Sequence, residues 1–330
     1  MNLHVTNDRY GIYPVQIAHR IKESDNANNN RIVNLYPTSI FQDEIIAYIN
    51  ISKKDFKEYI NGLPKVEKVI FHSYTLTAYN FLIILLKKFP DVKVYWMFWS
   101  YEMYNLPHQV HKLYEPFATK YVGSKISILN IIKKRVKKNI IFFLSLAGIK
   151  KTYKQTLKDA FSRIHYFCSL LPSDFSFLKS QYSNLNIQYL PFAYLSLDKI
   201  MPDLKAFRTS GSKIMLGHSA SPDGNHYEIL RMLSNINPEY SIFLPLVYGD
   251  KEYSNLIKIE AQKRFKKLEI LEDKLDSNSY YQKLSEVGWA IINVKVQQGL
   301  GNIMGLIWMG AKVFLDENAS TYKDFHSWGI

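Results

Sequence analysis

The chain has 330 residues, 47% hydrophobic and 22% charged, which is long enough for two ordinary domains and too apolar for a wholly disordered protein. Lys and Arg number 42 against 29 Asp and Glu, and the formal net charge of +13 points to an anionic partner. The single cysteine, Cys168, lies in the apolar run RIHYFCSLL; it excludes an internal disulfide and a cysteine-cluster metal site, and reads as a small buried hydrophobe.

The opening residues, MNLHVTNDRYGIY, carry neither a basic stretch nor an apolar run of the secretory type, which predicts a cytoplasmic protein. Strand candidates then follow in order: LHVT, RIVNLY, KVIFHSY, KVYWMFW, RIHYFCSL and IQYLPFA, with NANNNR (26–31) as an exposed turn. Helix candidates lie at 12–23, 75–88 and 108–120, with a long helical region at 125–160. His72 sits just after one of these strands, placed to act as a base or phosphate ligand or to serve as a satisfied structural histidine. Glu102 lies among Trp96, Trp99, Tyr101 and Tyr104, a setting that would raise its pKa into the general-base range. A helix-capping or surface glutamate is the competing reading.

The segment KKRVKKNIIFFLSLAGIKKTYK (133–154) places eight Lys and Arg around an apolar run from Asn139 to Ile149. That run is shorter than the ~20 residues needed to span a bilayer, so the alternatives are an interfacial segment or a core helix with solvated lysine ends. On the interfacial reading, Lys133, Lys134, Arg135, Lys137 and Lys138 would meet anionic headgroups. No nucleic-acid-binding module accompanies the patch, and no nucleic-acid partner is expected.

Residues 195–212, LSLDKIMPDLKAFRTSGS, lose periodicity and read as a linker. Beyond them, KIMLGHS, YSIFLPLVY, LEILE, VGWAIINV and AKVFLD alternate with helix-like stretches at 224–235, 250–266, 277–286 and 300–309. Such alternation predicts βαβ units and a Rossmann-type parallel sheet, whose ligands bind at the carboxyl ends of the strands. Three loops stand there. MLGHSASPDGNHYE offers Gly217, His218, Ser219 and Ser221 to a phosphate, or is a long capped turn. LVYGDKEY offers Tyr248 to a base, or to the edge of the core. QQGLGN opens the next helix: Gly299 and Gly301 permit close backbone approach, Asn302 is expected to begin the helix, and Gln298 to touch the ligand. The rival reading is a strand-to-helix turn that needs glycine for its geometry. No D-x-D, P-loop, H-E-x-x-H or G-x-S-x-G occurs, so no metal site and no bound cofactor are expected.

Two Rossmann-like domains, a linker, no D-x-D and phosphate-type loops together describe the GT-B glycosyltransferase plan: an α/β protein with two parallel sheets facing a central cleft. Residues 213–318 resemble glycosyltransferase family 56, through IMLGHSASPDGNHYE, LPLVYGDKEY, LEDKLDSNSYYQKL, VKVQQGLGNI and GAKVFLDENASTYKDF. FHSYTLTAYNFLIILL and YWMFWSYEMY match more loosely. That family includes the transferase that moves 4-acetamido-4,6-dideoxygalactose from its dTDP-sugar to a lipid-linked acceptor in enterobacterial common antigen synthesis.

The resemblance implies a donor domain at 205–330 and an acceptor- and membrane-binding domain at 1–200. Gly217, His218, Ser219, Tyr248, Gln298, Gly299, Gly301 and Asn302 would hold the nucleotide-sugar, and Glu102 would deprotonate the acceptor hydroxyl. The family pattern carries glycine after the tryptophan where this chain has Ser100. The implied protein is peripheral on the inner face of the cytoplasmic membrane and builds a surface polysaccharide such as an O-antigen or capsule. Alternatives are a nucleotide-sugar 2-epimerase of the same fold, or a non-catalytic basic protein of the membrane surface.

Overall fold

In the computed structural model the described residues are 1–9, 12–24, 27–37, 43–104, 106, 109–125, 141, 144–145, 150–193, 197 and 202–330. Lys133, Lys134, Arg135, Lys137 and Lys138, and much of the region 125–160, lie outside them. The chain forms two compact units, one from Met1–Glu102 with Lys137–Phe192, the other from Met103–Val136 with Ala193–Ile330. A single passage near 200–205 was expected; the chain instead also sends 103–136 into the second unit.

In chain order the strands of the first unit are β1 (Asn2–Thr6), β2 (Asn30–Asn34), β3 (Ile46–Tyr48), β4 (Lys68–Phe71), β5 (Lys93–Met97), β6 (Tyr166–Ser169) and β7 (Gln188–Pro191). They pair in the order β3-β2-β1-β4-β5-β6-β7. Every pair is parallel. The helices are α1 (Ile12–Lys22), α2 (Lys53–Gly62), α3 (Leu76–Lys88) and α4 (Tyr101–Tyr104), then α5 (Pro116–Ser124) in the segment that joins the second unit, then α6 (Tyr153–Ser162) and α7 (Pro172–Gln181).

Ser52 and Thr75 cap α2 and α3 by accepting from Asp55 N and Ala78 N, and Thr152 with Gln155 forms a capping box on α6. The core centres on Trp96, fully buried, stacked on Phe161 at 5.1 Å and met edge-on by Phe98 and Phe167. Cys168 is buried beside it on β6, and burial pushes its thiol up to about 12, so it behaves as the expected hydrophobe.

The second unit holds β8 (Lys213–Leu216), β9 (Ile242–Pro245), β10 (Leu268–Leu271), β11 (Val287–Ile292) and β12 (Lys312–Leu315), paired in the order β10-β9-β8-β11-β12. All pairs are again parallel. Around them pack α8 (His226–Ile236), α9 (Lys251–Arg264), α10 (Ser277–Ser285), α11 (Leu300–Met309) and α12 (Ser320–Ser327). The helix expected at 108–120 is broken: a 3-10 turn covers Val110–Leu113, and Pro116, which has no N–H to donate, starts α5.

Asn225 fastens this segment to the unit. It is fully buried in left-handed backbone (φ 49°), before α8. Its Nδ2 lies 3.0 Å from the carbonyl oxygens of Leu113, Asp223 and Asn293, and its Oδ1 accepts from Glu115 N at 2.8 Å. Nearby, Glu228 accepts from Phe117 N, Phe117 stacks on Tyr227 at 4.2 Å, and Lys295 bridges Glu115 and Asp316 at 2.6 and 2.5 Å. Asn225→Ala strands these buried partners and puts a Cβ residue without a compensating side chain in the left-handed region. It should cost about 2–4 kcal/mol in chemical denaturation and speed hydrogen exchange at Glu115 and Phe117. Asn225→Gly relieves the backbone but not the lost bonds, and should recover only part of the stability.

Candidate functional site

In both sheets the chain leaves the first strand to one side and later returns to its other side, so strand order reverses between β1 and β4 and again between β8 and β11. At such a point the loops leaving adjacent strands diverge and open a crevice at the carboxyl edge, where open α/β sheets bind ligands.

In the first unit that crevice is a cleft of about 240 Å³ lined by Thr6 at the end of β1, Asn7 and Asp8 after it, His72 and Ser73 after β4, and Trp99 and Tyr101 after β5. Buried Asn34 holds the first loop: its Oδ1 accepts from Thr6 Oγ1 at 2.8 Å and Asp8 N at 3.0 Å, and its Nδ2 donates to Asp8 O at 2.9 Å. Asn7 Nδ2 donates to Thr75 Oγ1 at 3.0 Å, and Ser73 Oγ hydrogen-bonds Tyr101 OH. His72 lies in the wall, and burial holds its ring neutral, well below the ordinary histidine pKa, with His4 adding to the shift.

Glu102 stands differently from expectation. The raised pKa is present: burial pushes it from 4.5 up to about 7, against the N–H donors that favour the ionised form. The access that a base needs is not, because Glu102 does not line the cleft. Oε1 accepts from Trp96 Nε1 at 3.2 Å and Tyr74 N at 3.4 Å, and Oε2 from Trp99 N at 3.1 Å. Glu102 thus clamps the 72–74 loop to the 99–101 loop. The residue before Tyr101, Ser100, has φ 78°, in the left-handed region where the family pattern has glycine.

In the second unit, Gly217 follows β8 in left-handed backbone, and an added Cβ there would come within 2.1 Å of His226 Nε2. Gly299 caps α11 in the same conformation, and its Cβ would meet the His218 ring at 2.9 Å. The two glycine loops are therefore packed against each other, joined further by Gln298 Nε2 donating to Asp223 Oδ2 at 2.6 Å. Ala220 donates to Tyr248 O and accepts from Asp250 N, which brings the β9 loop, with exposed Tyr248, beside Ser219 and Ser221.

His218 Nδ1, Asp223 Oδ1 and Gln297 Oε1 are buried around this junction without a hydrogen-bond partner. Buried polar atoms left so are costly. Two roles differ from expectation: Gly299 rather than Asn302 opens α11, and Asn302 Oδ1 accepts from Tyr280 OH at 3.0 Å. Gln298 is held by Asp223, leaving its neighbour Gln297 with the unpartnered oxygen.

Asp8, Asn7 and Thr6 were missed by sequence reasoning although TND follows the first strand directly, the position where a doubly wound sheet places ligand contacts. Asp223 and Gln297 lie inside the loops SPDGN and QQGLGN, where the sequence already offers Gln297 as a neutral hydrogen-bonding group. Among the described residues no group of three or more His, Cys, Asp or Glu side chains could hold a metal ion, and no helix is long and apolar enough to cross a membrane.

Two outcomes test this wall. A folded Glu102 that keeps its proton from 4.5 to about 7 while the unfolded chain releases it makes stability fall as pH rises through that window, by on the order of 3 kcal/mol. Buried neutral histidines act with the opposite sign below pH ~6.5. The measurement is therefore the difference between Glu102→Gln and wild type in melts from pH 4 to 8, and the variant should lack the Glu102 slope. Ser100→Gly should stabilise the protein by about 0.5–1 kcal/mol, the relief of strain exceeding the added chain entropy.

The family model of "4-alpha-L-fucosyltransferase glycosyl transferase group 56" matches residues 148–330, over half of the chain. No curated protein matches the chain significantly in sequence. Among solved structures, HepE of Anabaena in complex with UDP and glucose is similar at 9% identity and a TM-score of 0.55, over 98% of this chain and 82% of that one. Sucrose-phosphate synthase of Thermosynechococcus elongatus is similar at 8% identity and a TM-score of 0.59, over 96% and 81%. The UDP-forming trehalose-phosphate synthase of Burkholderia xenovorans is similar at 10% identity and 0.59, over 98% and 85%. These likenesses show the GT-B fold, and the family match shows the activity class. The chain belongs to glycosyl transferase group 56 and is a glycosyltransferase of the GT-B fold.

Proposed function

We propose that the chain transfers a deoxy- or acetamido-sugar from a nucleotide diphosphate sugar to a hydroxyl of a lipid-linked saccharide, without a metal ion, in the synthesis of a surface polysaccharide. The observation that carries this is the pair of crevices at the two switch points, one rich in unpartnered buried polar atoms and backbone donors, the other holding His72 and Asp8.

The donor belongs in the second unit. The start of α11 at Gly299, with the Gly217–His218 loop against it, offers peptide N–H groups and the positive end of a helix dipole to a diphosphate. Tyr248, exposed on the adjoining loop, suits a nucleobase face. During transfer the bond between the sugar carbon and the diphosphate oxygen breaks, and the nucleotide diphosphate leaves with the electron pair. The acceptor oxygen bonds that carbon, and its proton passes to a base. His72 or Asp8 in the first-unit cleft takes that proton, while Glu102 holds the cleft loops. HepE in complex with UDP and glucose, and the E. coli trehalose-6-phosphate structure with UDP-2-fluoro glucose, support a nucleotide-sugar donor. The basic segment 133–154 supports a polyprenyl diphosphate acceptor met at the inner membrane surface.

Saturation-transfer NMR with UDP, dTDP and GDP and their sugars is expected to show one nucleotide binding, and no binding at millimolar concentration would end this reading. Gly299→Ala pushes a methyl onto His218 and should weaken that binding at least about tenfold. His72→Gln should leave it unchanged while lowering turnover. Charge reversal at Lys133, Lys134, Arg135, Lys137 and Lys138 should release the protein from anionic liposomes and spare nucleotide binding.

A further inference from the structure

A second cavity of the first unit, of about 180 Å³, shares no lining residue with the cleft. Lys154 and Lys158 of α6 form one side of it, and Tyr182, Ser183, Asn184 and Leu185, in the turn between α7 and β7, form the other. Its floor is fixed: Tyr182 and Leu185 are buried, the Tyr182 ring meets Phe161 edge-on at 5.1 Å, and Lys179 Nζ donates to Leu185 O at 2.6 Å. Lys154 and Lys158 stand one helical turn apart on α6, so their charges repel. No carboxylate is among the described residues of the lining, and neither lysine is ion-paired among the described residues; Asp159, next in sequence, is taken by Lys151 and Arg163 at 3.3 and 3.4 Å. On the exposed rim, Ser183 Oγ donates to Asn184 Oδ1 at 3.4 Å, which occupies the amide oxygen and leaves its N–H groups to donate.

Two cations and an amide donor above a floor of ring and leucine suit an anion that brings carbon with it. A phosphodiester has that make-up, with charged oxygens for the ammonium groups and glycerol carbons for the floor. The place of the cavity selects its source. Lys154 is the last cation of the basic segment 133–154, and Tyr153 beside it is 44% exposed at the start of α6, an amphipathic ring of the kind that settles at the level of lipid headgroups.

We propose that this cavity binds the phosphodiester headgroup of an anionic phospholipid and so anchors the first unit at the membrane face. The inference rests on the reading that the protein meets an anionic membrane surface.

The test uses the full chain with three probes: vesicles of phosphatidylcholine and phosphatidylglycerol at about three to one, the short-chain lipid dihexanoylphosphatidylglycerol below its micelle concentration, and inorganic phosphate. Lys154→Gln with Lys158→Gln should weaken vesicle binding at least about tenfold. Lys53→Gln with Lys57→Gln removes the same charge at the same spacing from α2 and should weaken it less than about twofold. In nitrogen-15 spectra the soluble lipid should shift the Ser183 and Asn184 amides. Ser183→Trp, which fills the cavity and keeps both lysines, should abolish the shift at Asn184; if that variant does not fold, the Lys154→Gln, Lys158→Gln protein is read by the same spectra and should lose the shift as well.

Equal vesicle binding by the two lysine-pair variants, or a shift that survives in the folded variant, overturns the inference and leaves membrane contact by diffuse charge. Inorganic phosphate that shifts the same amides as strongly as the lipid overturns the headgroup as ligand. A wild-type chain that binds no anionic vesicle overturns the membrane reading, and the inference with it.

Discussion

Parallel pairing of β1 with β4 and of β8 with β11 is the constraint on which both crevices depend. A parallel neighbour can be reached only by a crossover, so every strand in each sheet points its carboxyl end to the same edge. At the two places where the order reverses, the loops leaving neighbouring strands meet at that edge. Thr6–Asp8 meets His72–Ser73 in one, and Gly217–His218 meets Gln297–Gly299 in the other. Glycine at 217 and 299 follows from this, since the loops approach so closely that a Cβ would enter a neighbouring imidazole.

Within both crevices the chemistry is carried mainly by neutral groups. Lys295, close in sequence to the second-unit junction, is engaged by Glu115 and Asp316. The junction gathers a helix start, a neutral histidine, the Gln297 amide and the Asp223 carboxylate, so dipoles rather than cations set its field. His4, His72 and His226 are likewise held neutral by burial. The cost of burying these groups is met by local bonds, as with Asn34 and Asn225, each of which both donates and accepts from the interior of its unit.

Asn225 and Glu102 show how far a residue's role can lie from its local sequence. A reader of SPDGNHYE sees a turn with a cap, and nothing local reveals that Asn225 reaches carbonyls at Leu113 and Asn293. Glu102 in its aromatic setting was read as a base because burial raises a carboxyl pKa wherever it occurs. Its carboxylate turns instead to the N–H groups of Tyr74, Trp96 and Trp99, and those donors identify it as a clamp. Helix α2 escaped notice because KKDFKEYING buries only Phe56 and Ile60, too narrow a stripe to stand out in sequence, and β3 because three partly exposed residues carry no period.

Most strands of both sheets, the parallel α/β class, and the glycine loops at 217 and 299 were determined by the sequence alone, because apolar runs of strand length and glycine punctuation are local signals. The family was legible in the same loops. Tertiary structure decided the rest: that 103–136 joins the second unit, that Asp8 and His72 share a cleft, that Gln297 rather than Gln298 is left without a partner, and that His4 lies beside His72. These facts depend on which strands become neighbours across the sheet. That order comes from packing the whole core, so no short stretch of residues contains it.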